Sequence, residues 1–226
     1  VSGVAVLTAS QGLNISGNVV TTAGTTLHAG DFTHFIAGNL TNAGTFEGGT
    51  QGGTGTIYLN GSVDQTISNT NAAPTNHTVN VTIDKPAGSV ILNTDFTVVN
   101  TLNMVKGNII LNTHNLILGI DGGGNVGVLN HTDGTIVGSG KFIRWFTGAA
   151  EGPLAAAGLF PVGSATVYRP LYISIPTGVA AGTVAVEYHD ADGTTPVSPS
   201  IPDGGATDIA ARKHFSWEVR DKTANT

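Results

Sequence analysis

The stretch LNISGNVVTTAGTTL at 13–27 returns in altered letters as HFIAGNLTNAGTFEGG at 34–49, and more loosely as TIYLNGSVDQTI at 56–67. Ile15, Ile36 and Ile57 mark the beat, each 21 residues from the next. A period near 20 residues suits one coil of a β-solenoid. Such a coil has two or three brief strands joined at corners, and it buries its apolar face only when the next coil stacks on it. The strands are visible as bursts: LNISGNV, VNVTID, SVILN, DFTVVNTLNMV, GNIILN and HNLILG. Alternation of apolar and polar residues over four to eight positions, bounded by Gly, Asn and Asp, marks a strand with one buried face. No 3.6-residue helical stripe competes with it.

The composition fits that architecture. The chain carries 32 glycines, 31 threonines and 18 asparagines, with only 11% charged and 6% aromatic residues. Inside a stacked coil each side chain lies about 4.8 Å from its equivalent, so branched apolar residues pack inward and Thr and Asn suit the outer rows. Gly and Asn serve the corners because they tolerate positive φ. A hydrophobic share of 40% separates the chain from disordered sequences. Residues 1–145 are expected to form an all-β parallel β-helix of six to seven coils, with SNTNAAPTNHT at 68–78 bulging out between coils. An antiparallel sandwich is the alternative for this part.

The habit changes after residue 140. Residues 1–140 hold nine charged side chains and the remaining 86 hold fifteen, with seven of the nine prolines and both tryptophans. FTGAAEGPLAAAG at 146–158 is the expected junction, since small residues and Pro153 break a regular ladder. Beyond it LFPVGSATVYRPLYISIP, GTVAVEYHDAD and KHFSWEVRD read as longer strands between proline-rich turns. Residues 146–226 are therefore expected to form a small antiparallel β-sandwich, incomplete in its strands. Phe142, Trp145, Phe146, Phe160, Tyr168, Tyr172, Phe215 and Trp217 would supply its core, and Arg169 a partner for Glu187 or Glu218.

The order of LNTHNLILG, DGTIVGSGKFIRWF, LFPVGSATVYRPLYI and FSWEV resembles the Gly/Thr/Asn-rich repeat regions of secreted and cell-surface, adhesin-like proteins of Bacteroidetes-type bacteria, substrates of type IX secretion. The resemblance covers nearly the whole chain. It implies a structural or adhesive role outside the cell, with no defining catalytic centre.

Charge and composition exclude several classes. A net charge of −6 with no basic cluster argues against nucleic acid and anionic membrane surfaces. With no cysteine there are no disulfides, thiolate metal sites or cysteine nucleophiles. No segment approaches the roughly 18 apolar residues of a membrane span. The opening VSGVAVLTAS, without methionine, reads as a processed piece whose signal peptide is gone.

Candidate chemistry is sparse. General acid–base work needs two titratable groups converging on one cleft. Asp64, Asp84, Asp95, Asp121 and Asp133 stand apart, mostly at turn positions. His28, His34, His77, His114, His131, His189 and His214 lack zinc-site spacing, although His28 and His34 could meet across a corner. IDGGGNVG at 120–127 opens no helix and so cradles no phosphate. Asp190 and Asp192 faintly echo a calcium loop but lack its distal glutamate. Threonine rows, which on a flat solenoid face could bind ice, lose register from one repeat to the next. The sequence assigns no catalytic, cofactor-binding or metal residue. The function expected is an extracellular structural or adhesive module at the bacterial cell surface. It would be a filament subunit joined head-to-tail to copies of itself or to other surface proteins by strand addition, with 1–9 as donor. The alternative is a carbohydrate-binding or carbohydrate-cleaving solenoid.

Overall fold

The structure, a computed structural model, describes residues 5–47, 55–69, 78–122, 125–147, 158–176, 178, 180–190, 201–202, 208–209 and 215–221. Every regular element among them is a strand. The coils wind a β-solenoid of about five turns. Three sheets wall it, parallel wherever coil stacks on coil. A short one joins Val6–Thr8, Thr26–His28 and Thr45–Glu47. A six-stranded one runs from Val19–Thr21 through Leu40–Asn42, Gln65–Asn69, Val90–Leu92 and Ile109–Ile110 to Ile136–Val137. The third, the long sheet, has ten strands and begins at Asn14–Ile15.

Inside, like sits on like. Ile15, Ile36, Leu59, Ile83 and Met104 form one column of register partners, at spacings of 21, 23, 24 and 21 residues. The beat read from the sequence therefore slips at its third member: Ile36 stacks on Leu59, while Ile57 faces His34. The slip is two residues, and because strand side chains alternate with period two, Ile57 still points inward and is buried. Opposite, Val19, Leu40, Ile67 and Leu92 stack from the six-stranded sheet. Burial of these side chains is the main driving force for stacking.

The expected six to seven coils become about five turns for a definite reason. Leu116–Leu118 pairs with Phe96–Val98 and Val128–His131 pairs with Thr101–Met104, so two apolar bursts lie side by side on the single long strand Phe96–Lys106. They fill one layer. The insertion at 70–77 and the junction at 148–157 lie outside the described residues.

At Phe142–Phe146 the direction changes. This strand is parallel to Leu116–Leu118 on one side and antiparallel to Gly182–His189 on the other, which in turn pairs antiparallel with Ser216–Asp221. The antiparallel pairing expected after residue 146 is thus present in part, as a continuation of the long sheet. Two small pairs accompany it, Leu159–Phe160 with Leu171–Tyr172 and Ile201–Pro202 with Asp208–Ile209. Buried Leu159, Phe160 and Val162 close the core at this end, with Phe160 packed edge-on to Phe142 at 5.5 Å.

Two substitutions test the stacking. Leu118 is fully buried, so Leu118→Ala is expected to cost about 2–5 kcal/mol in urea unfolding. Gly134 has φ +94° and an added Cβ would lie 2.1 Å from the Gly107 carbonyl oxygen, so Gly134→Ala is expected to cost about 1–3 kcal/mol by the same measurement.

Candidate functional site

Several acidic and amide side chains serve the corners. Asn18 Oδ1 accepts the Asn39 amide N–H, Asn39 Oδ1 that of Thr66, Asp64 Oδ1 that of Ser89 and Asn108 Oδ1 that of Thr135, at 2.8, 2.8, 2.8 and 2.9 Å. Along another corner Asp95 accepts from Asn115 at 2.7 Å and Asn115 from Lys141 at 3.2 Å. Each bond ties a corner to the coil above it. Asp133 accepts the N–H of Gly134 within its own turn, and Asp121 bridges to Asn125 where 120–127 folds back on itself. Asp84 accepts from Tyr58, and the five aspartates Asp64, Asp84, Asp95, Asp121 and Asp133 are not brought to a common cleft.

The histidines are equally dispersed. His28 pairs with Glu47 on the outside of the short sheet, whereas His34 is buried with Nε2 2.7 Å from the Ala29 carbonyl oxygen. They hold different partners and make no shared site. His114 lies 3.8 Å from Asp95, and His131 stacks on Tyr168 at 5.4 Å. His77, His214 and Asp192 lie outside the described residues; Asp190 accepts a 3.4 Å hydrogen bond from the Tyr188 hydroxyl. On the long sheet the outer threonine row Thr33, Thr56, Asn80, Thr101, Val128 is broken twice.

The eight aromatic residues expected to form one core do not: Phe142, Phe146 and Phe160 are buried, whereas Tyr168, Tyr172 and Trp217 are exposed. Phe146 and Phe160 flank the buried Arg144 guanidinium, which donates to the Leu159 carbonyl oxygen at 2.7 Å, and Phe142 packs on Phe160. Phe215 sits between Tyr188 and Trp217. Arg169 pairs with neither glutamate: its guanidinium lies 4.8 Å from the centre of the Phe215 ring, and its carbonyl oxygen accepts from the Trp217 indole. The glutamates have nearer cations. Lys141 Nζ is 3.1 Å from Glu187, and Arg220 bonds Glu218, lowering the Glu218 pKa. Glu187 and Glu218 are register partners, a repulsive placement for like charges that these cations offset. His189 stands 3.5 and 3.7 Å from them, and the ligand atoms of this Glu–His–Glu group lie within 4.8 Å of one another.

Two assemblies were not legible beforehand. The first is a polar knot in the core. Gln65 donates to the carbonyl oxygens of Ile36 and Gly38 at 2.9 and 2.6 Å, and its Oε1 accepts from the Gly61 amide at 2.8 Å and from Lys85 Nζ at 2.6 Å. Lys85, fully buried, also donates to the Gly61 carbonyl oxygen at 2.8 Å. The second is an open groove of about 510 Å³ on the outer face of the long sheet, lined by Phe35, Tyr58, Asn60, Asp84, Pro86 and Lys106. Phe35 and Tyr58 come from adjacent coils, with ring centres 4.9 Å apart and planes at 40°. The Tyr58 hydroxyl donates to Asp84 Oδ2 at 2.8 Å, and this bond to a carboxylate, more than burial, raises the Tyr58 pKa.

Compared with protein-family models, with curated proteins and with solved structures, the chain matches none of them. Among the described residues no helix is long and apolar enough to cross a membrane.

The knot predicts a pH effect. Burial lowers the Lys85 pKa from 10.5 to about 8, against a smaller opposing pull from Asp64. A folded pKa below the unfolded one means the charged amine costs stability. That cost is complete below about pH 8 and is relieved between about 8 and 10.5, as the folded amine loses its proton before the unfolded one does. The unfolding free energy of the wild type minus that of Lys85→Met is therefore expected to rise with pH across this window in urea titrations. A flat difference would refute the assignment.

Proposed function

We propose that the chain is an extracellular structural or adhesive module of a bacterial cell surface, a subunit that joins head-to-tail with copies of itself by strand addition. The carrying observation is a column of coils with an accessible apolar strand at each end among the described residues. Val6 and Leu7 are 68% and 48% exposed on Val6–Thr8, and Trp217 and Val219 are 36% and 51% exposed on Ser216–Asp221. An open edge pairs with other chains unless charge, proline or bulges blunt it; Val6–Thr8 carries none of these, and on Ser216–Asp221 Glu218 and Arg220 pair with each other. Two different open edges favour a heterologous, repeating contact over a closed dimer.

The donor segment has a defined starting place in this reading. Val6–Thr8 is the first rung of the short sheet, parallel to Thr26–His28, with its other edge open among the described residues. Addition to a neighbour uses that open edge and need not unseat the rung. The extracellular setting rests on the sequence resemblance to surface repeat proteins.

Negative-stain microscopy and sedimentation of the purified chain test the proposal. Concentration-dependent fibres are expected, lost on deletion of residues 1–9 and also in Val219→Lys, which places a charge on the far edge without touching the core. Fibres that persist in both variants would overturn strand addition.

A further inference from the structure

We propose that the outer face of the long sheet around Phe35 and Tyr58 is a binding platform for a neutral oligosaccharide. The inference rests on the adhesive reading above and gives it a ligand class.

The two rings are register partners on neighbouring coils, both partly exposed, and together they make a shallow apolar floor. The same outward column continues as Thr82, Asn103 and Asn130. Asn103 Nδ2 donates to Thr82 Oγ1 at 3.1 Å, and Asn130 Nδ2 to Asn103 Oδ1 at 2.7 Å. Thr82 is buried, so beyond the rings the accessible groups of this column are the amides of Asn103 and Asn130, on rungs about 4.8 Å apart. Asn60, two residues beyond Tyr58, and Asp84 and Lys106, which are in register with each other, line the groove beside the rings.

This pattern matches the chemistry of a sugar ring, which has an apolar C–H face and a rim of hydroxyl groups that both donate and accept. Aromatic faces take the first, and carboxylate, amide and ammonium groups take the second. The Tyr58–Asp84 hydrogen bond fixes both side chains and leaves Asp84 Oδ1 without a partner among the described residues. Asn60 lines the groove beside this pair. The groove's volume lies in the range of small-ligand sites.

Other occupants fit less well. Asp84 and Lys106 balance in charge, so the groove favours neither an acidic nor a basic ligand. It lies on a sheet face and not on an edge, so a peptide or a second copy gains no backbone ladder there. Asp84 is the single carboxylate lining it, whereas glycoside hydrolysis uses two; the platform holds sugar and does not cleave it.

Saturation-transfer NMR and calorimetry on the full chain, with cellohexaose, mannohexaose and chitohexaose as probes, provide the test. At least one probe is expected to bind in the micromolar to millimolar range. Tyr58→Ala and Phe35→Ala are expected to weaken it about tenfold, while Tyr168→Ala, in a ring stacked on His131 elsewhere, leaves it unchanged. Tyr58→Phe, which keeps the ring and loses only the hydroxyl, and Asp84→Asn guard against misfolding, and both are expected to weaken binding severalfold with unchanged thermal melts. No binding by any of the three probes at millimolar concentration, or equal affinity in Tyr58→Ala and wild type, overturns the platform. Fibre formation is scored separately on the same proteins: fibres without sugar binding sink the platform alone, and sugar binding without fibres sinks the filament reading alone.

Discussion

The whole structure depends on each coil hydrogen-bonding the next. A parallel ladder satisfies strand backbones only while the strands last, and every coil must turn corners where the ladder lapses. Buried or half-buried backbone groups at those corners need partners. Asn18, Asn39, Asp64, Asp95, Asn108 and Asn115 meet that need by accepting amide N–H groups from the coil above. Asn112, in a left-handed conformation at φ 54°, reaches down to the Leu92 carbonyl oxygen at 2.9 Å. The abundance of asparagine in the chain is thus a consequence of winding.

The alternation of apolar and polar residues made the solenoid legible, because the inward columns are mainly apolar, with Gln65 and His34 as exceptions. Exact registration was hidden. Ile57 and Leu59 are equally good inward residues, and only the extra length of the third coil decides that Leu59 stacks on Ile36. The side-by-side seating of Leu116–Leu118 and Val128–His131 was hidden for a related reason: strand pattern says which face is buried and not which neighbour is shared.

The candidate sites were less legible still. Phe35 and Tyr58 are 23 residues apart and become neighbours only through the stacking register. Lys85 reads as a corner residue beside Pro86, yet its ammonium is drawn inward by oxygens of Gly61 and Gln65 from the preceding coil. Arg169 illustrates the opposite failure. Its charge suggested a glutamate, but Glu187 is held by Lys141 and Glu218 by Arg220, two residues along its own strand, and the guanidinium settled on an aromatic face.

The reversal at Phe142–Phe146 separates a repetitive body from a unique ending. Upstream layers share a parallel ladder and an inward apolar column, so the pattern by itself sets no height, and the antiparallel strands Gly182–His189 and Ser216–Asp221 give the long sheet a closing edge of another kind.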